Sequence, residues 1–341
     1  MTPRTTLVTG AGGFVMSVFI ARMLEHDPAM RVVAVDAAPP DALAAALFAR
    51  FGERVDLVRG DVRDRAEIEA ILCAARPDIL VHGASVTHVP AWELSRAHDF
   101  IDVNAGGTMN VFEAARAVGT LRRAVQISSC AVYGGGTPDQ ADHAIRESDP
   151  AVPDTYYGIG KLGGEMIARR FGALSGVPVA VIRPTRVFGP MERPTSDRKL
   201  MNLPFMLVQA LQTGQPVRIS CRSRGVAGDW ISAEDLAEAL LRLLDTPAAT
   251  GVYNIATGQP AVVEDLLDAI PAPVVWVKNP EEADFDQPVS TGSLGVYNTY
   301  ALRRATGWSP RPLAKQLASY LAWAAAAPEL FQTADDQSPS V

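Results

Sequence analysis

Apolar residues in the first half of the chain follow two alternating rhythms. Short β-branched runs ("TTLVTG", "RVVAVD", "VDLVRGD", "DILVHGAS", "RRAVQISS", "PVAVIRP") read as strands. Between them, apolar residues recur at helical spacing. In "FVMSVFIARMLEHD", Val15, Val18, Phe19 and Met23 share one face that can pack on a sheet. "RDRAEIEAILCAARP" reads as a helix ended by Pro77, and "DFIDVNAGGTMNVFEAARAVG" as a long helix. This alternation predicts an α/β fold with a doubly wound parallel sheet, because each crossover helix has to cover a sheet face.

The regularity weakens from about residue 184. "TRVFGPMERPTSDRKLMNLP", rich in Pro and charge, reads as a long loop. "FMLVQALQTG" and "AEDLAEALLRLLD" read as helices, "PVRIS" and "GVYNIATG" as strands, and the end, "ADDQSPSV", as a frayed tail.

Composition narrows the classes. The 341 residues are 48% hydrophobic, enough for a buried core, and 38 acids against 31 bases argue against nucleic acid or an anionic membrane as partner. Three scattered cysteines, Cys73, Cys130 and Cys221, predict neither a disulfide framework nor a zinc site. His82, His88, His98 and His143 form no metal-binding spacing, so no metal is expected. Without a leader-like start or a long apolar run, the expected location is cytoplasmic.

"LVTGAGGFVMS" puts Gly10 and Gly13 between a strand and a helix, where a pyrophosphate can approach main-chain N–H groups at the helix start. Met16 stands where a third glycine would be. That glycine serves helix–strand packing, so the phosphate site is expected to survive. Asp36, ending the second strand, can accept from both ribose hydroxyls and repel a 2′-phosphate, which favours NAD over NADP. Farther on, Tyr157 and Lys161 lie four apart on one helix face, after Ser129 at a strand end. An ammonium and a cationic nicotinamide would favour the phenolate as base, with Ser129 holding the substrate oxygen. Tyr156 lacks a lysine at +4, and Cys130 has no histidine near it in sequence to activate it.

The ordered set "TGAGGF", "VD", "GDVRD", "VHGAS", "VNAGGTMN", "SSCAVYG", "YYGIGK" and "RPTRVFGP" resembles the extended short-chain dehydrogenase/reductase family of NAD-dependent sugar epimerases and dehydratases, over roughly residues 5–325. The resemblance implies a Rossmann-type NAD domain over 1–183 carrying the Ser/Tyr/Lys site. It also implies a mainly substrate-binding α/β region over 184–330, of which about 225–256 returns to the first core, a tail over 331–341, and commonly a homodimer through a four-helix contact. Residue by residue, it implies that Gly10, Gly13, Phe14 and Val15 hold pyrophosphate and Asp36 the ribose. Asp61 and Val62 would line the adenine pocket, and Gly83, Ala84 and Ser85 the strand-end loop beside the cofactor. Asn104 would lie near the active site, Ser129, Tyr157 and Lys161 would be catalytic, Lys161 would also reach the nicotinamide ribose, and Pro184 would lie near the carboxamide. Asn202 and Leu203 match main-chain or amide contacts to a substrate nucleotide.

Departures from the family's pattern bear on the substrate. The dehydratase branch carries Asp-Glu directly after its catalytic Ser/Thr. Cys130 and Ala131 stand there, so elimination is expected to be excluded. The family's asparagine before "VYGP" is Arg186, its arginine before "DF/DY" is Gly228, and no arginine lies between Lys278 and Arg303. Two lost clamps would deprive a diphosphate of charge-assisted bonds. Arg186 suggests another anion, a sugar-acid carboxylate or a phosphate, or else a structural ion pair with Glu192 or Asp197. Arg222 and Arg224 could replace the clamps or be merely solvated. The expectation is an NAD-dependent oxidoreductase acting on a secondary alcohol of a sugar-like, polyhydroxylated substrate. A nucleotide-sugar 4-epimerase is the alternative, and a non-catalytic NAD sensor a more distant one.

Overall fold

The computed structural model describes residues 4–137, 140, 142–287 and 295–331. Eleven strands are present among them: β1 (Thr5–Thr9), β2 (Arg31–Asp36), β3 (Val55–Arg59), β4 (Ile79–His82), β5 (Arg123–Ile127), β6 (Val179–Pro184), β7 (Arg186–Phe188), β8 (Val217–Ser220), β9 (Trp230–Ser232), β10 (Gly251–Ile255) and β11 (Val274–Val277). Seven make one parallel sheet in the order β10-β6-β5-β4-β1-β2-β3. Strands β4, β5 and β6 are buried along their whole length, as expected where helices cover both faces. One face is closed by the helices Phe14–His26 and Ala233–Leu244, the other by Arg65–Ala75, Thr108–Val118 and Tyr156–Ser175. A separate apolar cluster unites the helices Leu203–Thr213 and Leu313–Ala325 with β8 and β9.

Three local features differ from the periodicity reading. Ala42–Ala49 is a helix, N-capped by the Asp41 carboxylate, which accepts from Ala44 N at 2.9 Å; its alanine-rich sequence offers no polar face to reveal it. The long helix is interrupted by a π-helical stretch, Asp102–Gly107. The segment read as one loop contains β7, which pairs with β9.

Helix Tyr156–Ser175 approaches that π stretch unusually closely. A Cβ on Gly160 would lie 2.4 Å from the Phe100 carbonyl oxygen, and one on Gly164 2.8 Å from that of Asn104. Beneath the same helix, Glu165 and Arg183 form a buried two-pronged ion pair at 2.8 and 2.7 Å. Ser128 Oγ donates to Glu165 at 2.5 Å, Arg183 donates to Tyr133 Oη at 2.8 Å, and that hydroxyl donates to Asn254 on β10 at 2.8 Å. Burying two charges is costly unless each is this fully bonded. The network ties helix, β6 and β10 to the turn that carries Ser129.

Candidate active site

Strands β1 and β4 are neighbours whose chains leave the sheet in different directions, and a cavity of about 1170 Å³ opens at that switch point. Gly10 has φ +68°, and a Cβ there would lie 2.8 Å from the Ala84 main chain, so only glycine fits. Gly13 precedes the helix as its N-cap without a side-chain bond, leaving the first N–H groups open to an anion. The Asp36 carboxylate accepts from Gly12 N at 2.9 Å; burial raises its pKa against that bond. A glycine cradle at a helix start with a strand-end carboxylate beside it fits NAD.

Met16 is buried, and its side chain lies where a residue larger than glycine at 83 would project. A Cβ on Gly83 would come within 2.6 Å of Met16 Cγ and Sδ. The bulk gained at one position is offset at the other, and the phosphate cradle is untouched. Gly83 N and Ala84 N both donate to Thr9 Oγ1 at 3.2 Å. The Thr9 hydroxyl then has His82 Nδ1, 2.7 Å away, as acceptor. His82 Nε2–H accordingly donates to Thr108 Oγ1 at 3.0 Å, and Thr108 donates to the Asn104 carbonyl at 2.7 Å. Burial holds His82 neutral, its pKa lowered to about 3. Asn104 brackets Val86 through both N–H and C=O, at 3.1 and 3.2 Å.

Across the cavity, Thr155 caps the helix that presents Tyr157 and Lys161, accepting from Gly158 N at 3.1 Å. Lys161 Nζ lies 5.8 Å from the Tyr157 ring centre and donates to the Ile127 carbonyl at 3.0 Å. Burial lowers its pKa to about 8. Burial also raises the Tyr157 phenol, which Ser129 and Arg198 pull the other way. Ser129 Oγ accepts from Ala131 N at 3.1 Å and caps the short turn that follows. Cys130 is buried, its thiol donating to the Arg183 carbonyl at 3.2 Å, and burial pushes its pKa up.

The cavity wall includes Gly10, Gly13, Phe14, Val15, Asp36, Asp61, Val62, Gly83, Ala84, Ser85, Ser129, Tyr157, Lys161, Pro184, Arg186 and Asn202. Asn104 acts behind the wall through Val86, and the Leu203 side chain is fully buried in the second apolar cluster. Glu192 pairs with Arg198, not Arg186, which donates instead to Gln287 Oε1 at 2.9 Å. Arg222 is engaged by Asp286, and Arg224 lies 3.8 Å over the Trp276 ring, so neither reaches the cavity. Sequence reasoning passed over Gln287 and Arg193. The latter straps the Pro-rich segment to the glycine loop, bonding Asp41 at 2.5 Å and the Gly12 carbonyl at 3.0 Å. No motif marks either residue. Among the described residues no group of acids, histidines or cysteines could hold a metal, and no helix is long and apolar enough to cross a membrane.

Residues 6–256 match the model of the NAD dependent epimerase/dehydratase family, and the chain belongs to that family; its cofactor is NAD. It is 28% identical over 269 residues to a trifunctional UDP-glucose 4,6-dehydratase/UDP-4-keto-6-deoxy-D-glucose 3,5-epimerase/UDP-4-keto-L-rhamnose-reductase of Arabidopsis thaliana, covering 79% of this chain and 39% of that enzyme. The chain thus spans about two fifths of that relative's length. It is 29% identical to the UDP-glucose 4-epimerase of Mycolicibacterium smegmatis, over 90% of this chain and 93% of that one. Its fold matches the UDP-glucuronic acid 4-epimerase of Bacillus cereus, solved with UDP-glucuronic acid and NAD, with TM-score 0.77 and 21% identity over 94% of this chain and 99% of the other. These relatives correct one expectation. Exclusion of dehydratase chemistry does not hold, since the family and the plant relative include dehydratases. The two positions after Ser129 do not decide the matter.

Two outcomes are expected. Gly83→Leu should force Met16 out and weaken NAD binding, at an overpacking cost of about 1–3 kcal/mol; adding Met16→Gly should recover affinity by titration calorimetry. The second concerns Lys161, whose folded pKa of about 8 lies below its ordinary 10.5. Its buried ammonium therefore weighs on the fold fully below pH 8 and not at all above 10.5. The melting temperature of Lys161→Met minus that of the parent, without NAD, should be highest at neutral pH and fall as pH rises through that window.

Proposed function

We propose that this protein oxidises a secondary alcohol of a sugar nucleotide, with Ser129, Tyr157 and Lys161 as the reacting-end residues. The observation that carries this reading is their convergence on the cavity whose other wall is the glycine cradle. The UDP-sugars in the names of the relatives supply the substrate class. Bound NAD supplies the acceptor for the hydride that leaves the carbinol carbon. Tyr157 takes the hydroxyl proton as the carbonyl forms, and Ser129 holds the same oxygen. Lys161, anchored on the Ile127 carbonyl, keeps positive charge beside a phenol that burial would otherwise leave protonated. The 4-epimerase reading is favoured by the end-to-end match to the mycobacterial enzyme. In it the ketone stays and is reduced from the opposite face.

Incubation with UDP-sugars should give product, read together with absorbance at the reduced-nicotinamide band. Accumulating NADH marks net oxidation, whereas product without it marks a closed redox cycle. Tyr157→Phe should lower turnover about 10²–10⁴-fold with NAD affinity retained. Unchanged turnover would remove Tyr157 from the chemistry.

We further propose a homodimer. Ile101 and Met109, with Ile159 and Met166 on the helix packed beside them, expose apolar side chains. Met166→Glu should shift the mass in sedimentation from dimer to monomer, and a monomeric parent would refute the assembly.

A further inference from the structure

Five arginines line the cavity, and four of them are matched by carboxylates. Arg63 pairs with Asp61, Arg96 with Asp99, Arg193 with Asp41 and Arg198 with Glu192. Arg186 is the exception: among the described residues no carboxylate lies within 4.0 Å of it. The segment 288–294, "PVSTGSL", which follows its partner Gln287 in the chain, contains no acid. Asp229, whose field reaches Arg186, spends its oxygens on Thr257 N and Oγ1, Gly258 N and Tyr297 N at 2.6–3.3 Å.

The guanidinium is nevertheless held in place. Its Nη1 donates to Gln287 Oε1 at 2.9 Å, while the Gln287 amide nitrogen donates to the Ala227 carbonyl at 2.9 Å, which fixes the amide's orientation. The Arg186 guanidinium lies 5.1 Å from the Trp230 ring centre. It crosses Gly228 so closely that a Cβ there would be 2.2 Å from Nη1. The side chain is exposed to the cavity, and the surrounding walls, by desolvating the guanidinium, push its pKa down. A positioned guanidinium that faces a ligand cavity, with no carboxylate on it among the described residues, offers its free N–H groups to an anion.

Resting on the sugar-nucleotide reading above, we propose that Arg186, seated over Gly228 and oriented by Gln287, is the receptor for an oxyanion of the substrate and sets its specificity. The shared chemistry is a pair of oxygens on carbon or phosphorus, matched by two parallel N–H groups. A diphosphate and a sugar carboxylate both provide it.

Titration calorimetry of the full chain saturated with NAD, using UDP, UDP-glucose and UDP-glucuronic acid, tests the assignment. Arg186→Gln should raise Kd by about tenfold or more. Weakening of all three probes identifies the diphosphate as the anion; weakening of UDP-glucuronic acid alone identifies the carboxylate. Unchanged affinity for every probe, or a parent that binds none, overturns the proposal. If Arg186→Gln does not fold, Gly228→Ala decides. It keeps the arginine but puts a Cβ against its Nη1, with Gln287 Nε2 and Trp230 Nε1 3.3 Å away, and so displaces the guanidinium. Weaker binding then supports the receptor, and parental affinity refutes it. Because affinity is read without turnover, a chain that binds but does not oxidise leaves Arg186 in place and sinks only the catalytic reading.

Discussion

Everything at this site hangs on how closely two strand ends approach each other. Gly10, leaving β1, and the Gly83–Ala84 pair, leaving β4, pass with no room for a side chain between them. That contact lets the first loop turn under the cavity while the second turns along its side. Thr9 holds the second turn through two N–H groups, and neutral His82 extends the tie to the π stretch and Asn104. Each member has its proton assigned by its neighbour, so a charged imidazole would turn Nδ1 into a donor and leave the Thr9 hydroxyl proton without its acceptor. Burial of His82 is therefore a condition for the loop geometry as well as a result of it.

The opposite wall is fixed by different means. Glycines on the helix Tyr156–Ser175 remove the bulk that would keep it off the π stretch, and the Glu165–Arg183 pair bolts it to β6. Deleting one member of such a pair leaves a buried charge unmatched, typically at a cost of about 3–5 kcal/mol. A charge network is a poor source of stability compared with packed apolar groups, but it fixes direction. Here it fixes the Ser128–Ser129 turn relative to Tyr157. The two walls are thus rigid on different grounds, steric at the cofactor side and electrostatic at the reacting side.

The parts legible in sequence are those whose signal is local. Strands β1 to β6 announced themselves by β-branched runs, and the Tyr157–Lys161 face by a spacing of four. The Gly10 cradle was legible because its turn requires glycine whatever surrounds it. Gln287 was not legible, since its meaning is a bond to Arg186, 101 residues away. Arg193 likewise acts on Asp41 across 152 residues. Met16 looked like a defect in a pattern until Gly83 supplied the missing room. The dehydratase exclusion failed for a related reason: it read chemistry from two consecutive positions, whereas proton carriers can be contributed by any segment that borders the cavity.

The pairing of charges along the cavity gives it a direction. Asp36 stands unpaired with any arginine at the end where β2 finishes, and it is held by the Gly12 and Ala38 N–H groups. Arg186 stands unpaired with any described carboxylate where β7 begins. Arg63, Arg193 and Arg198 are each paired with a carboxylate of the chain. On the assignment proposed for Arg186, a long ligand pair is sorted by its ends: hydroxyl donors toward the carboxylate, oxyanion toward the guanidinium. Lys161 is buried in the same wall, where desolvation lowers its pKa to about 8. On the same proposal the ends select and orient the ligands, and the proton exchange falls to Tyr157.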